Sequence, residues 1–426
     1  MLSMKNQPII NIGCLGSVSD GKSTLVEICT GTKTQRHSTE RTRNITKNQG
    51  YANMKMWSDI NLDTHETIYH TTDSHPSSFK NESGRDCKLV NHISFVDCPG
   101  HQELIKVMLS SIALMDGAIV VVAVNDKPPA EKPQLIQHLA AIKLGRIDKI
   151  IVCLNKIDLV PKELLLQRKQ EIDEMLEQYN IRPYAIIPTC FNKRIGLNYV
   201  TRAIMELFNP DNFLDRHSTL PIFRISRSFD INKPGTNWND ISGGVIGGSL
   251  MSGKICAGNE IEIRPGILAG SQSGKISCKP IKTTVYSIKT DTTELEEIYP
   301  GGLIGIRTDT DPMYCKANYL AGNIAGLVGT LPNVFLEITL TVEMVTTFGF
   351  TWNPKIKDIV SIQIGTFMAD ATVTSTKKKM VFMFSGPVCI PDNQHIIICR
   401  TIDGILRIVA EGMVTYTDNT NIIPIY

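Results

Sequence analysis

The sequence predicts an α/β domain, a mostly parallel sheet with helices on both faces, followed by two all-β barrel domains. In the first half, apolar strand-like runs alternate with stretches of helical periodicity, which is typical of a parallel sheet. After residue 213, helical periodicity gives way to short strand-like segments, glycine pairs and prolines, which is typical of β-barrels. The 426 residues exceed the roughly 250–300 that one hydrophobic core supports. We therefore predict domains at residues 1–212, 213–329 and 330–426.

The first-half elements follow from their apolar patterns. Predicted strands are 8–14, 92–98, 117–124, 149–154 and 184–189, and predicted helices are 23–30, 102–115, 132–144, 163–179 and 198–208. Residues 55–88 are polar and show no period, which predicts a long mobile loop. The predicted barrel strands are 221–226, 243–250, 260–264, 283–288, 303–307, 335–342, 359–364, 380–384 and 394–398.

Composition excludes few functional classes. The net charge of +2 neither marks nor excludes a nucleic-acid binder, because a local basic surface can lie on a neutral protein. No apolar run reaches the roughly 18 residues of a membrane helix, and residues 1–8 contain no apolar signal-peptide core. The 11 cysteines form no C-x-x-C pair, so the sequence predicts neither a disulfide framework nor a zinc motif. We expect a cytoplasmic protein that binds neither membrane nor DNA.

A phosphate-binding loop follows the first predicted strand. Residues 16–23, Gly-Ser-Val-Ser-Asp-Gly-Lys-Ser, fit G-x-x-x-x-G-K-[ST] between a strand and a helix, the context that the motif requires. Backbone N–H groups of such a loop surround phosphate oxygens, and the lysine reaches the β- and γ-phosphates while the serine hydroxyl binds Mg²⁺. The candidate nucleotide-binding residues here are Gly16, Ser19, Asp20, Gly21, Lys22, Ser23 and Thr24.

A second motif, Asp-Cys-Pro-Gly, ends the strand 92–98. The Asp97 carboxylate can hold Mg²⁺ through water, and the Gly100 amide can sense a γ-phosphate, so that the following loop acts as a switch. A neutral imidazole at His101 can orient an attacking water. The alternative for His101 is a solvated loop histidine.

The third motif, Asn155 to Asp158, follows the strand 149–154. The Asp158 carboxylate can accept hydrogen bonds from the N1–H and N2–H₂ groups of guanine, whereas adenine presents an acceptor at N1 and would leave the carboxylate unpaired. Asn155 can bond the N7 side of the base and hold the phosphate loop, and the Lys156 stem can cover the ring. Three motifs in this order, each after a strand, predict a guanine-nucleotide site.

Thr46 lies between the first two motifs, in Arg-Asn-Ile-Thr. Its hydroxyl can complete the coordination of Mg²⁺ when GTP is bound. An ordinary turn threonine is the alternative that the residues alone leave open.

Over nearly its whole length the sequence resembles the gamma subunits of eukaryotic and archaeal translation initiation factor 2, relatives of elongation factor Tu. Besides the three motifs, the resemblance rests on stretches that include Gly-Tyr-Ala-Asn at 50–53, His-Leu-Ala-Ala-Ile at 138–142, Arg-Ser-Phe-Asp-Ile-Asn-Lys-Pro-Gly at 227–235 and Pro-Gly-Gly-Leu-Ile-Gly at 300–305. The Gly-Tyr-Ala-Asn and Asn-Lys-Pro-Gly stretches separate this family from elongation factors.

The resemblance implies a GTPase with GTP or GDP and Mg²⁺ as cofactors, which hydrolyses GTP to GDP and phosphate. It implies a carrier of initiator methionyl-tRNA to the small ribosomal subunit, within a heterotrimer with alpha and beta subunits. A GTPase-activating factor and a nucleotide exchange factor would act on that complex. By resemblance, His101 occupies the hydrolytic position and Thr46 the switch position, and Tyr51 would lie near the tRNA acceptor end. A packing tyrosine is the alternative for Tyr51.

The sequence departs from the family pattern at several positions. Ser17 and Asp20 replace histidines, and Asp20 brings a negative charge toward the phosphates, where like charges repel. The family's last guanine-contacting motif is usually Ser-Ala, and Thr189-Cys190 stands in its place. The contact expected there, from the Cys190 backbone N–H to guanine O6, would survive a change of side chain.

Two further segments have functional alternatives. Many family members carry a four-cysteine zinc knuckle between the switches, but this interval contains only Cys87. We expect a metal-free loop, and the alternative is a substitute site of Cys87 with His65, His70 and His75.

Residues 377–379, Lys-Lys-Lys, are the only dense basic run. We interpret them as a solvated hairpin turn rather than an RNA contact.

Three functions fit these residues. The first is the GTP-hydrolysing tRNA carrier that the resemblance implies. The second is a GTP-dependent assembly scaffold with little hydrolysis, which Ser17 and Asp20 favour slightly. The third is another elongation-factor-like tRNA carrier, such as one for selenocysteyl-tRNA, against which the stretch at 227–235 argues.

Overall fold

The computed structural model describes residues 2–33, 50–61, 64–98, 105–269, 277–291, 293–346, 351–377, 379–419 and 423. The chain forms two compact units, Met1–Leu214 and Asp215–Tyr426. The first unit is the α/β domain, and the second contains the β-barrel domains.

The first unit is built on an eight-stranded sheet. Its strands are β1 Ile10–Leu15, β2 Gly50–Ile60, β3 Thr67–Thr72, β4 Phe79–Lys80, β5 Asp86–Asp97, β6 Gly117–Ala123, β7 Ile150–Asn155 and β8 Ala185–Pro188. Its helices are α1 Leu2–Asn6, α2 Lys22–Thr30, α3 Ile105–Ile112, α4 Pro133–Leu144, α5 Lys162–Gln178 and α6 Leu197–Leu207. The strand order is β3-β2-β5-β1-β6-β7-β8, with β4 beside β5.

The centre of this sheet is parallel. Strands β5, β1, β6, β7 and β8 pair in parallel, and every residue of β1, β6 and β7 is buried. This burial explains their continuous apolar sequences. At their carboxyl ends β1 lies beside β5, since Cys14 pairs with Asp97, and β6 ends beside β7, since Ala123 pairs with Asn155, while β6 continues past Val120, the partner of Leu15. The three sequence motifs therefore begin at one edge of the sheet.

The prediction of a mobile loop over residues 55–88 is wrong. Strands β2, β3 and β4 and the start of β5 form antiparallel pairs there. Met54, Met56 and Trp57 are buried, the Trp57 indole donates to the Thr72 hydroxyl (2.9 Å), and the Lys55 ammonium donates to the carbonyl of Pro76 (2.8 Å). Sequence periodicity missed these strands because Asn53 and Lys55 are buried between the apolar residues, which hides the expected alternation.

The second unit contains two seven-stranded sheets and a small two-stranded one. Its strands are β9 Ile222–Phe229, β10 Val245–Ser252, β11 Ile255–Cys256, β12 Glu260–Ala269, β13 Ser277–Thr290, β14 Thr293–Leu295, β15 Glu297–Ile298, β16 Ile304–Thr308, β17 Ile324–Leu327, β18 Val334–Leu340, β19 Val342–Met344, β20 Ile359–Ile364, β21 Phe367–Thr376, β22 Met380–Cys389, β23 Gln394–Ile402 and β24 Ile405–Val414. The order β12-β17-β9-β10-β16-β13-β14 is closed by pairing of β12 with β13, and the other large sheet runs β18-β22-β21-β20-β23-β24-β19.

Each large sheet encloses its own apolar core. Phe223, Ile225 and Ile261 lie in the first core, and Phe335 and Phe382 lie in the second. The predicted boundaries at residues 212/213 and 329/330 stay predictions. The interpretation of residues 377–379 also stays a prediction, since Lys378 lies outside the described residues. No helix in the described part of the chain is long and apolar enough to cross a membrane.

Candidate nucleotide-binding site

The phosphate loop connects β1 to α2. Gly16 has a φ of 140° and Gly21 a φ of 108°, conformations that L side chains rarely adopt. A Cβ at Gly16 would lie 2.2 Å from the carbonyl oxygen of Val121, and one at Gly21 would lie 2.3 Å from Nδ2 of Asn155. Neither glycine can be replaced without moving the loop away from the sheet. The loop ends at the N-terminus of α2, where free N–H groups favour an anion.

Lys22 is the first residue of α2, and its side chain turns back into the loop. Its Nζ donates to the carbonyl oxygens of Gly16 (2.9 Å) and Ser17 (2.7 Å). Burial lowers the pKa of Lys22, although the neighbouring Asp97 and Asp20 act in the opposite direction. An ammonium held inside a loop of inward-turning backbone is placed to contact phosphate oxygens.

Ser23 and Asp97 meet where α2 begins and β5 ends. The Ser23 hydroxyl donates to Oδ2 of Asp97 (2.8 Å), and the Asp97 side chain is buried. Gly50, the first residue of β2, pairs with Asp97 across the sheet. Two adjacent oxygen ligands, a hydroxyl and a carboxylate, suit a hard cation such as Mg²⁺.

Asp20 lies in the loop, but its carboxylate points inward toward the sheet. Oδ2 accepts from the Ser17 N–H (2.7 Å), and Oδ1 accepts from the Ala123 N–H (3.1 Å) and from Nζ of Lys132 (3.0 Å). The side chains of Asp20 and Lys132 are 1% and 3% exposed. The negative charge expected beside the phosphates is therefore paired within the protein.

Asn155 joins the third motif to the loop. Its Nδ2 donates to the carbonyl oxygen of Asp20 (2.9 Å), and its Oδ1 accepts from the Phe191 N–H (3.2 Å). The predicted role of Asn155 in holding the phosphate loop agrees with this geometry. One amide thus connects the loop, the end of β7 and the segment after β8.

Asp158 lies in a short 3₁₀ helix, Ile157–Leu159. Its carboxylate is 3.0 Å from Nζ of Lys193. A hydrogen bond from the Cys190 side chain, with a further one from Lys193, holds the pKa of Asp158 below its ordinary value. The carboxylate is therefore ionised and able to accept hydrogen bonds at neutral pH. Lys156, the residue before this 3₁₀ helix, has the left-handed backbone conformation, with a φ of 65°.

Thr189 and Cys190 follow β8. The Thr189 N–H donates to the carbonyl of Leu154 (2.7 Å), and the Cys190 N–H donates to the carbonyl of Ile195 (3.0 Å). The predicted contact from the Cys190 N–H to guanine O6 would have to share or replace the bond to Ile195. The Cys190 side chain is instead engaged with Asp158.

Some of the remaining predicted residues lie outside the described part of the chain and others lie within it. Thr46, Gly100 and His101 lie outside the described residues. Ser19 is exposed and Thr24 is half-buried on α2. Tyr51 is half-buried in β2 opposite Val96, one residue beyond the rung that contains Asp97.

The motifs missed two residues that support the loop. His138 on α4 accepts from the Gly16 N–H at Nδ1 (3.0 Å), and burial lowers its pKa to about 3, so the ring is neutral and can accept. Lys132 precedes α4 and pairs with Asp20. Each lies more than 100 residues from its partner, and the sequence signal available was the helical stretch itself.

The antiparallel hairpins contain a three-residue group with metal-ligating atoms. Asp59, His70 and Cys87 each place one such atom within 4.8 Å of the others, whereas His65 and His75 do not belong to this group. The Asp59 carboxylate already contacts Nη2 of Arg85 (3.2 Å) and accepts a hydrogen bond from Asn81. The expectation of a metal-free segment stays a prediction.

Comparison with protein families gives two matches. Residues 7–210 match the elongation factor Tu GTP-binding domain, and residues 337–414 match the C-terminal region of initiation factor eIF2 gamma. The chain is 35% identical over 437 residues to the eukaryotic translation initiation factor 2 subunit gamma of Encephalitozoon cuniculi (strain GB-M1), with 99% of this chain and 96% of the relative covered. It is 33% identical over 431 residues to the eukaryotic translation initiation factor 2 subunit 3 of Drosophila melanogaster, with 96% and 89% covered.

Solved structures share the fold. A bacterial selenocysteine-specific elongation factor, EF-Sec, aligns with a TM-score of 0.70 at 19% identity over 96% of this chain and 58% of its own. Elongation factor SelB from Methanococcus maripaludis, in complex with the GTP analogue GppNHp, aligns with a TM-score of 0.69 at 19% identity over 96% and 79%. At such identity these likenesses concern architecture alone, and the predicted α/β domain followed by β-barrels is confirmed.

Proposed function

The chain belongs to the family of translation initiation factor 2 gamma subunits and is a translational GTPase, and from that premise we propose that it carries initiator methionyl-tRNA to the small ribosomal subunit. In this proposal it acts in the cytoplasm, within a heterotrimer with alpha and beta subunits, and releases the tRNA after GTP hydrolysis. A GTPase-activating factor and an exchange factor control the cycle. The observation that carries the proposal is the 35% sequence identity to an initiation factor 2 gamma subunit in an alignment that covers 99% of this chain. The three nucleotide motifs, which begin at one edge of the sheet, support it.

The phosphate end of the nucleotide is assigned to the loop and the start of α2. Lys22 contacts the β- and γ-phosphates, and the loop N–H groups together with the α2 N-terminus bind the remaining oxygens. Ser23 and Thr46 would hold Mg²⁺ and Asp97 would hold it through water; the Ser23 hydroxyl and Oδ2 of Asp97 lie 2.8 Å apart. The ion, when bound, neutralises charge that develops on the transferred phosphoryl group.

Hydrolysis and signalling are assigned to the residues after β5. His101 orients the attacking water, and the Gly100 amide senses the γ-phosphate. Tyr51 lies near the tRNA acceptor end. Because tRNA binding and GTP binding are linked, each strengthens the other by the same factor.

The base is assigned to Asp158, Lys156 and Asn155. An ionised Asp158 accepts from the guanine N1–H and N2–H₂ groups, and the Lys156 stem covers the ring. Support comes from the Asn155 amide, which fixes this segment to the phosphate loop through Asp20 and Phe191. Base and phosphates are therefore bound by one preorganised surface.

The test of the carrier function is tRNA binding. We expect methionyl initiator tRNA to bind the purified chain, or its complex with an alpha subunit, more tightly with a non-hydrolysable GTP analogue than with GDP. Filter binding with elongator methionyl-tRNA as the competitor measures the selectivity. Nucleotide binding with no preference for either tRNA or nucleotide state would instead indicate an assembly scaffold, and preference for another tRNA would indicate a different carrier.

The base assignment is tested by Asp158→Asn. The new NH₂ group can donate to the C2 carbonyl of xanthine but faces the N2–H₂ donor of guanine, so we expect guanine affinity to fall by about 100-fold, close to the roughly 3 kcal/mol that a buried unpaired group can cost. Competition of GDP and XDP against a fluorescent nucleotide measures the change. Asp173→Asn on α5, where the side chain is 41% exposed and pairs with Lys169, is the matched control. An unaltered base preference in Asp158→Asn would refute the assignment.

A further inference from the structure

Asp20 and Lys132 form a buried ion pair beneath the phosphate loop. Their charged atoms are 3.0 Å apart, and both side chains are at most 3% exposed. The Asp20 carboxylate is further satisfied by the N–H groups of Ser17 and Ala123. A buried charge is stable only when it is paired and hydrogen-bonded, and this carboxylate meets both conditions.

Lys132 reaches Asp20 from the segment just before α4. Its Nζ also donates to the carbonyl oxygen of Ala123 (3.2 Å) and lies 3.3 Å from Oδ2 of Asp126, a residue that is largely exposed. Lys132 therefore bridges the end of β6, the loop and the start of α4. Asp20 is the partner that is buried with it.

The pair also determines where the loop backbone lies. The side chain of Asp20 fixes Ser17 on one side, while its carbonyl oxygen accepts from Asn155. The N–H of Gly16 is bonded to His138. The loop is thus held at its first glycine, at Ser17 and at Asp20, and the Lys132 ammonium neutralises the one acidic side chain within it.

We propose that Lys132 is a positioning residue for nucleotide binding, which holds Asp20 inward and cancels its charge so that the loop can accept a polyphosphate. The proposal rests on the nucleotide site proposed above. Without Lys132, an anion remains inside a loop that must receive several negative charges, and the repulsion grows with the number of phosphates. A purely structural role would not be rescued when the charge of Asp20 is removed together with that of Lys132.

The experiment compares Lys132→Met, Lys132→Arg and the double variant Asp20→Asn/Lys132→Met with the wild-type chain. Dissociation constants are measured for GTP, GDP and GMP by competition with a fluorescent GDP analogue, and circular dichroism confirms folding. Lys127→Met, an exposed lysine of the same segment, is the matched control.

We expect Lys132→Met to weaken the binding of GTP by about tenfold or more, as one unpaired charge at intermediate dielectric implies. The loss of affinity should be smaller for GDP and smallest for GMP. The double variant recovers most of the GTP affinity because no net charge remains, and Lys132→Arg and Lys127→Met bind like the wild type.

Equal losses for the three nucleotides in Lys132→Met would overturn the proposal, as would a double variant that folds but recovers nothing. If Lys132→Met does not fold, the double variant and Lys132→Arg decide, since both must then bind GTP nearly as well as the wild type. A wild-type chain that binds no guanine nucleotide would refute the nucleotide site itself, which is a different result.

Discussion

The two units of this chain bury charge in different ways. Among described aspartate, glutamate, lysine and arginine residues, the buried ones in the first unit are Asp20, Lys22, Lys55, Asp97 and Lys132, whereas the second unit buries Glu262 alone. Burying a charge is costly unless it is paired. All of the first unit's buried charges except Lys55 surround the phosphate loop, so in that unit charge is buried where a nucleotide is to be bound, and in the second unit the cores are apolar.

The largest expected effect tests whether Glu262, the charge that is buried in the described part of the second unit, serves the fold alone. Glu262 lies 2.7 Å from Nε of Arg264 and accepts from the Gly329 N–H (2.8 Å). Glu262→Ala leaves the Arg264 guanidinium without its carboxylate, so we expect the unfolding free energy of the second unit to fall by about 3–5 kcal/mol. Urea unfolding measures the loss, and nucleotide affinity stays unchanged.

The control for that variant is Glu297→Ala, which breaks an ion pair with Lys254 whose side chains are 45% and 44% exposed. Exposed pairs contribute about 0–1 kcal/mol. Equal losses in the two variants, or weaker GDP binding in Glu262→Ala, would break the distinction between the units.

The next effect is a pH dependence of the unfolding free energy of the first unit. Burial lowers the pKa of His92 and of His138 from 6.5 to about 3. Below pH 6.5 the unfolded chain therefore binds protons that the folded unit does not, and stability is lost as pH falls toward 3. From pH 6.5 to about pH 5 we expect a loss of about 2 kcal/mol per histidine, measured by thermal unfolding across that range.

His138→Asn sharpens this result, because an asparagine oxygen can replace Nδ1 as the acceptor for Gly16 but does not titrate. We expect the variant to lose about half of the pH dependence. A variant with the full wild-type slope would show that His138 does not contribute to it.

The smallest effect concerns the hairpins. Arg85 is 37% exposed and pairs with Asp59, so Arg85→Ala should lower the unfolding free energy by about 1 kcal/mol or less. Lys80→Ala, at an exposed pair with Asp86, is the control with no measurable change. We also expect a chelator to leave the melting temperature of the wild-type chain unaltered. With Mg²⁺ kept in excess, a fall on chelation of transition metals would show that Asp59, His70 and Cys87 hold a metal.

The sequence indicates the candidate nucleotide-binding residues but not the residues that support them. The motif residues can be predicted from sequence because each motif follows a buried parallel strand, and the ends of such strands meet at one edge of the sheet. These residues are Lys22, Ser23, Asp97, Asn155 and Asp158. Lys132 and His138 carry no local signal for their roles, since a lysine before a helix and a histidine within one are common. Their partners lie 112 and 122 residues away, a proximity that only the assembled sheet creates.

The hairpins were missed for a different reason. Pattern analysis assumes that polar residues mark the exposed face, and in β2 both Asn53 and Lys55 are buried. The inward orientation of Asp20 was also beyond the sequence, because whether a loop carboxylate faces a ligand or the protein depends on a lysine far along the chain.

The bonds that fix the phosphate loop also bear on the order of folding. Four of these contacts join residues that are 103 to 135 positions apart in the chain. They are Gly16 to His138, Asp20 to Ala123, Asp20 to Lys132 and Asp20 to Asn155. Contacts of such separation form late, since closing the intervening loops costs entropy before any contact offsets it. A chain emerging from the ribosome therefore gains nucleotide affinity only after Asn155 has been synthesised and the central sheet is in place. In refolding experiments, recovery of circular dichroism should precede recovery of fluorescent GDP binding, so that affinity itself reports completion of the domain.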